Sequence, residues 1–306
     1  MVSTLTHKDP AKSLVIAAFA AVYIIWGSTY VAIALSIKSI PPFLMAGLRF
    51  FTAGLILFIY CLATGEKIQP LLSLAKSAFA GVLMLGVGTT SLIWSEQYLP
   101  SGLAAVIVAS IPLFFILLDK KHLKQNFADK FIVTGLIVGF AGIIFLFDGK
   151  STLDLGNTSQ LAGFIVLLIG SLVWAGGSLY AKYADIKGST LMKAAIQMLA
   201  AGLAAFIASL IAGETKNFVW GAVTASSIYA MLYLVFIGSL IGYIAYIWLL
   251  SVRPPALVGT YAYVNPVVAV FLGWLLDNEI ITMQQIIALL VILAGVLLVN
   301  FSKYKK

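Results

Sequence analysis

The sequence predicts an all-α membrane protein with many spans, and three observations carry that expectation. Sixty-two per cent of its 306 residues are hydrophobic and only ten per cent are charged, with a mean hydropathy of +1.07, far too apolar for a water-soluble chain of this length. Ten apolar runs are each long enough to cross a hydrocarbon core, which takes about 20 residues at roughly 1.5 Å rise each. One stretch also occurs twice. Trp94 to Pro112 and Trp248 to Pro266 align at a single offset of 154, matching at Trp94 and Trp248, Pro100 and Pro254, Leu103 and Leu257, and Pro112 and Pro266. Trp26 and Trp174 lie 148 apart, and at that offset the segment from Ala46 to Phe58 answers the one from Ala194 to Phe206. Ala141-Gly142 answers Ala294-Gly295 at 153. So small a drift over half a chain reads as an internal duplication.

Helices are expected at 13–35, 41–63, 75–97, 101–118, 131–147, 159–182, 190–213, 228–251, 255–276 and 282–301. The first follows a basic lead-in, but its apolar run reaches Ile37, too long for a cleaved signal peptide. It carries Trp26 beside Gly27-Ser28-Thr29-Tyr30, where small residues next to a bulky ring allow close packing or expose carbonyls to a ligand. The second holds Arg49 about 12 Å from its outer end. A guanidinium at that depth costs about 2.5–3.5 kcal/mol on insertion scales, so it faces a partner or a wet cavity, snorkels to the interface, or forms a static ion pair. Helix 3 carries Trp94 and closes on Glu96, on the same side as Arg49; that carboxylate pairs with Arg49 across a cavity mouth or sits solvated at the interface.

In helix 4, Ser110-Ile111-Pro112 predicts a backbone break. Helix 5 holds Gly135 and Gly139 at GxxxG spacing, a weak packing signal. The polar loop Asp148 to Ser159 divides the halves, 1–150 and 151–306. Helix 6 repeats the first motif as Trp174 with Gly176-Gly177-Ser178, and helix 7 has Gln197 where helix 2 has Arg49. The charge-free run 217–252 is read as one helix, with Gly238 and Gly242 in it and an interfacial lead at Trp220. In Tyr261-Ala262-Tyr263-Val264-Asn265-Pro266, the proline frees the carbonyl near Ala262, and polar groups beside such a break favour a cavity.

Basic residues set the orientation. With both termini cytoplasmic, fifteen lysines and arginines fall on inner segments and only Lys38, Lys150 and Lys216 on outer ones, with Arg49 inside a span. Ten helices with both ends inside satisfy the positive-inside rule. Five helices per repeat is an odd number, so the second copy enters the membrane inverted, a geometry suited to alternating access.

Placement of the charge, +8 in all, on membrane-flanking loops removes the case for nucleic acid. A single Cys61 excludes an intrachain disulfide, and His7 and His122 lie outside the apolar runs, so no Ser-His dyad, no H-E-x-x-H metal site and no resident cofactor is expected. Neither a Walker-A loop nor a charged ring or carbonyl filter is present, which argues against an enzyme, an ATP-driven pump and a selective channel.

Trp26-Gly27-Ser28-Thr29-Tyr30, Arg49-Phe50, Ser95 to Ala105 and Tyr263 to Val270 with Asp277-Asn278-Glu279 resemble the EamA family of the drug/metabolite transporter superfamily, and its bacterial inner-membrane members most. The resemblance covers both halves. It implies ten helices in two inverted five-helix repeats, a cavity lined mainly by helices 3, 4, 8 and 9 with help from 1, 2, 6 and 7, helices 5 and 10 at the periphery, and movement of amino acids or other small amphipathic solutes. The sequence departs from the family after helix 4, where Asp119-Lys120-Lys121-His122-Leu123-Lys124 replaces a Gly-Glu turn, so Glu279, read as a helix-start carboxylate, has no counterpart.

The expected protein is a multi-pass carrier of the bacterial cytoplasmic (inner) membrane, a monomer or homodimer whose partners are a small-molecule substrate and the lipid bilayer. The expected substrate-binding residues are Trp26, Ser28, Thr29, Arg49, Trp94, Glu96, Trp174, Tyr261, Tyr263 and Asn265. A non-transporting scaffold or sensor, or a channel, is the alternative.

Overall fold

In a computed structural model, the protein is described over residues 11–145, 157–216, 218–278, 280 and 282–304, which contain no strand. Among these residues seven helices are long and apolar enough to cross a membrane: α1 (Lys12–Ser36), α2 (Pro42–Ala63), α3 (Leu71–Ser95), α4 (Ser101–Leu118), α6 (Thr158–Tyr183), α7 (Thr190–Ile211) and α8 (Ala225–Val252). Three further apolar helices accompany them, α5 (Lys130–Phe145), α9 (Tyr261–Asp277) and α10 (Met283–Tyr304). Helices are what such sequences must form, because lipid offers no partner to an open backbone group. Most of the dividing loop, with the boundary at 150, and Glu279 lie outside the described residues.

Helix starts differ between the halves. α2, α3 and α4 begin behind Pro41, Pro70 and Pro100, whose fixed φ presets the first turn. α6, α7 and α8 begin behind Asn157, Ser189 and Thr224, each accepting a first-turn amide. A single 3₁₀ turn, Trp220–Ala222, precedes α8. α4 breaks at Ala109 and Ser110, just before Pro112. The second proline acts differently: α9 continues through Pro266, and its break falls earlier, at Gly259 and Thr260, after the short turn Pro255–Val258. There Thr260 Oγ1 donates to the Leu257 carbonyl at 2.6 Å, supplying a local partner where the backbone ladder stops.

α2 and α7 run antiparallel, and each ends against the other's start. Both finish in a glycine with positive φ followed by glutamate: Gly65 (φ 82) and Glu66, Gly213 (φ 71) and Glu214. The Glu66 amide returns to the Cys61 carbonyl and the Glu214 amide to the Ser209 carbonyl. Both are the Schellman closure, which only glycine enters without strain. The Glu214 carboxylate accepts from the Phe43 and Leu44 amides at 3.1 and 2.8 Å, capping α2, while Glu66 accepts from the Ser189 hydroxyl at the start of α7.

α4 is the central element, 89% of its apolar window being buried against 39–50% for the other long helices. α5 and α10 pack chiefly on each other. A Cβ on Gly295 would stand 2.5 Å from Gly139 N and 2.6 Å from the Gly135 carbonyl, so that glycine pair is a packing face. Large apolar side chains such as Ile16, Ile137, Leu210 and Trp274 are exposed around the bundle, a surface suited to lipid and not to water.

Candidate functional site

Two helices change winding at the middle of the bundle. α3 is π-helical over Val82–Thr89 and α8 over Leu234–Tyr243. A π segment turns side chains out of α register; in α3 the Leu85 carbonyl accepts both the Thr90 amide, five residues on, and the Thr90 hydroxyl, the latter at 2.9 Å. Both segments face one cavity, with about 630 Å³ of empty space when its opening to solvent is counted. Its walls come from α1, α2, α3, α4, α6, α8 and α9.

Arg49 is the one charged residue on this lining among the described residues. It is 4% exposed, so it does not snorkel to the interface. Its Nε donates to the Ser239 hydroxyl at 2.9 Å and its Cζ lies 5.0 Å from the centre of the Phe50 ring, while Nη1 is buried with no hydrogen-bond partner. Gly238 makes the room: a Cβ there would stand 3.1 Å from Nη2 and 3.0 Å from Thr29 Cγ2. Gly242, one turn on, gives the same clearance to Trp26, whose Nε1 would be 2.7 Å away. The Gly238 and Gly242 spacing therefore accommodates cavity side chains, unlike the Gly135 and Gly139 pair.

Trp26, Trp174, Tyr246 and Tyr261 form an aromatic layer at one end of the cavity. Trp26 meets Trp174 and Tyr261 edge-on at 5.6 and 5.0 Å, and Tyr246 at a tilt at 4.9 Å. Edge-to-face contacts of this kind add about 0.5–1.5 kcal/mol each beyond area burial. Tyr246 is pinned by its hydroxyl to Ser178 at 2.7 Å. Beyond the layer, Lys182 at the end of α6 donates to the carbonyls of Leu250, Ser251 and Arg253 at 2.8, 3.1 and 3.3 Å, so a cation closes the C-terminus of α8. On α9 the Asn265 amide nitrogen donates to the Tyr23 and Tyr261 carbonyls at 3.1 and 3.0 Å, and its oxygen faces the Tyr30 hydroxyl.

Of the residues expected at a site, Trp26, Thr29, Arg49, Trp174, Tyr261 and Asn265 come together on this lining. Ser28, Trp94, Glu96 and Tyr263 do not. Ser28 sits on the next face of α1, donating to the Ile25 carbonyl at 2.7 Å and meeting the Tyr233 hydroxyl at 2.6 Å. Tyr263, two residues from Tyr261, is carried to another face of α9 by the roughly 100° turn per residue. Trp94 packs edge-on against Tyr98 at 5.0 Å. Glu96 is buried at the end of α3, not solvated, and its charge acts on Arg49 through space while the guanidinium's direct hydrogen bond goes to Ser239.

Sequence reasoning missed Tyr30, Ser171, Ser239 and Tyr243. Tyr30 and Ser171 lie four after Trp26 and three before Trp174, on the same helical faces, and that spacing was a usable signal. α7, expected to help line the cavity, stands behind it: Gln197 accepts from the Tyr243 hydroxyl at 2.8 Å, and Tyr243 faces the space. Among the described residues no three of His, Cys, Asp and Glu cluster to hold a metal.

Apolar helices gathered around an aromatic-walled cavity, with one charge on its lining among the described residues, have the build of a multi-pass membrane transporter. The chain belongs to the EamA-like transporter family, whose model matches residues 13–148 and again 161–301. It is 42% identical over 287 residues to the uncharacterized inner membrane transporter YedA of Escherichia coli K12, covering 93% of this chain and 90% of that one. The uncharacterized transporter YoaV of Bacillus subtilis is 25% identical, over 92% of this chain and 94% of its own. Protein PecM of Dickeya dadantii is 25% identical, with 92% of each chain covered. A crystal structure at 17% identity superposes with a TM-score of 0.68 over 96% of this chain and 99% of that one, a likeness of fold. The protein is a multi-pass protein of the bacterial inner membrane.

Proposed function

We propose that the chain is a secondary transporter, working as an exporter of small amphipathic solutes by alternating access around the central cavity. Ten spans cross the membrane in two inverted five-helix repeats, 1–150 and 151–306, with both termini cytoplasmic. The observation that carries this reading is a single cavity built by helices of both halves, holding one buried charge that nothing in the fold fully satisfies. The reciprocal closure of α2 on α7 supports the inversion, because two copies of one motif meet head to tail. In this orientation the lining belongs to the outer halves of α1 and α3 and to the middle of α8, and the aromatic layer with Lys182 closes the cytoplasmic side.

Counterflow in proteoliposomes tests the reading. Solute preloaded inside should drive uptake of labelled solute outside, and the rate should saturate. Flux that rises linearly without counterflow would assign a channel, and purified, folded protein that exchanges nothing would leave a scaffold.

A further inference from the structure

We infer that the cavity takes an organic anion: a small solute with one carboxylate-like head and an apolar body, and without an ammonium group. This rests on the transporter reading above and names the substrate class for the same cavity.

The polar inventory of the lining is one-sided. Arg49 Nη1 is a buried donor without a partner, and Ser171 Oγ, on a residue 3% exposed, is likewise unpartnered. Leaving such groups unmet costs free energy that a ligand recovers by supplying acceptors. Guanidinium offers only donors, and its strongest partners are carboxylate-type oxygens. Trp174 Nε1, also on the lining, is a third buried donor without a hydrogen-bond partner, which adds to the one-sidedness. Other polar groups of the lining are engaged within the fold. Ser239 accepts from Arg49, Thr29 donates to the Trp26 carbonyl at 2.7 Å, the Gly238 carbonyl accepts from Trp26 Nε1 at 3.3 Å, and Asn265 spends its amide on two backbone carbonyls.

An ammonium would need acceptors, three if it is to be fully met, with a carboxylate among them to balance its charge. No carboxylate stands on the lining among the described residues. Glu96 acts on Arg49 from outside it, moderating the site's charge without offering a cation a place to sit. The remaining wall, with Phe50, Leu85, Leu92, Val108, Ile111 and Leu167, is apolar. A ligand head therefore meets Arg49 and Ser171, and its body meets hydrocarbon and the faces of Trp26 and Trp174.

Three probes with one phenylethyl body separate the charge classes: 3-phenylpropionate, phenylalanine and 2-phenylethylamine. With purified full-length protein, 3-phenylpropionate should raise the melting temperature and show saturable counterflow above protein-free liposomes. The other two should be weaker by on the order of tenfold or more, the scale of one charge-assisted hydrogen bond. Arg49→Gln should abolish the preference for the anion, and Arg49→Lys should restore part of it. Ser171→Ala, a smaller change, should weaken the anion alone by several-fold, and it carries the test if the arginine variants do not fold. If phenylalanine or phenylethylamine matches or exceeds the anion, the anion assignment falls while transport stands. If 3-phenylpropionate binds through Arg49 yet never exchanges, the anion site stands and the transporter reading falls. If none of the probes shifts stability or exchanges, the anion assignment is overturned.

Discussion

α2 and α7 agree at their ends and part company in the middle. Each closes in the same Gly-Glu turn against the other's first residues. Halfway along, at matching positions, α2 carries Arg49 and α7 carries Gln197, both buried and both bonded to the π segment of α8, at Ser239 and at Tyr243. Gln197 is stationed behind the cavity wall and its oxygen is satisfied. Arg49 is on the wall and keeps a nitrogen without a partner. The pair shows how a duplicated frame becomes one asymmetric site: the turns that fix the helices are shared, and the charge is confined to one copy.

The largest expected effect comes from forcing the copies to match. Gln197→Arg puts a second guanidinium on a buried side chain that meets Tyr243, while the backbone there cannot give way, a Cβ on Gly81 standing only 2.2 Å from the Gln197 backbone carbonyl. We expect a loss of about 2.5–3.5 kcal/mol, the insertion cost of a buried charge, read as a lower thermal midpoint. An unchanged midpoint would mean that both copies tolerate charge and that the asymmetry is accidental. Next is Tyr243→Phe, which strands the Gln197 oxygen and should cost about 1–3 kcal/mol of stability in the same assay. A neutral result would show that Gln197 finds another partner and does not lock the wall. The smallest effects fall at the ends. Glu214→Ala removes the cap on α2 and should cost about 0.5–2 kcal/mol, whereas Glu66→Ala should cost only a few tenths, because Ser189 caps α7 by itself. Equal losses would show the two turns to be equivalent.

The helices were legible because lipid leaves a sequence few choices, and Arg49 was legible because its burial is costly. The break in α9 was misplaced, since Pro266 marks a missing donor and not the residue where the chain bends. Ser28 and Tyr263 were assigned to the cavity by neighbourhood in sequence, while one or two residues of helical rotation carry them to other faces. Ser171 and Ser239 escaped notice because small hydroxyl residues serve helix packing as readily as ligands, and only the tertiary neighbours distinguish the two uses. The same holds for glycine: identical spacing in α5 and α8 gives a packing face in one and clearance for Arg49 and Trp26 in the other.

Glu214 reaches the α2 amides from 170 and 171 residues further along the chain. On the ribosome, at about 5–20 residues per second, that separation is a wait of roughly 10 to 30 s. Throughout it the first turn of α2 sits at the membrane border with two amides answered only by water or lipid headgroups. The first half therefore leaves the insertion machinery incomplete at one edge, and the second half supplies its missing cap on arrival.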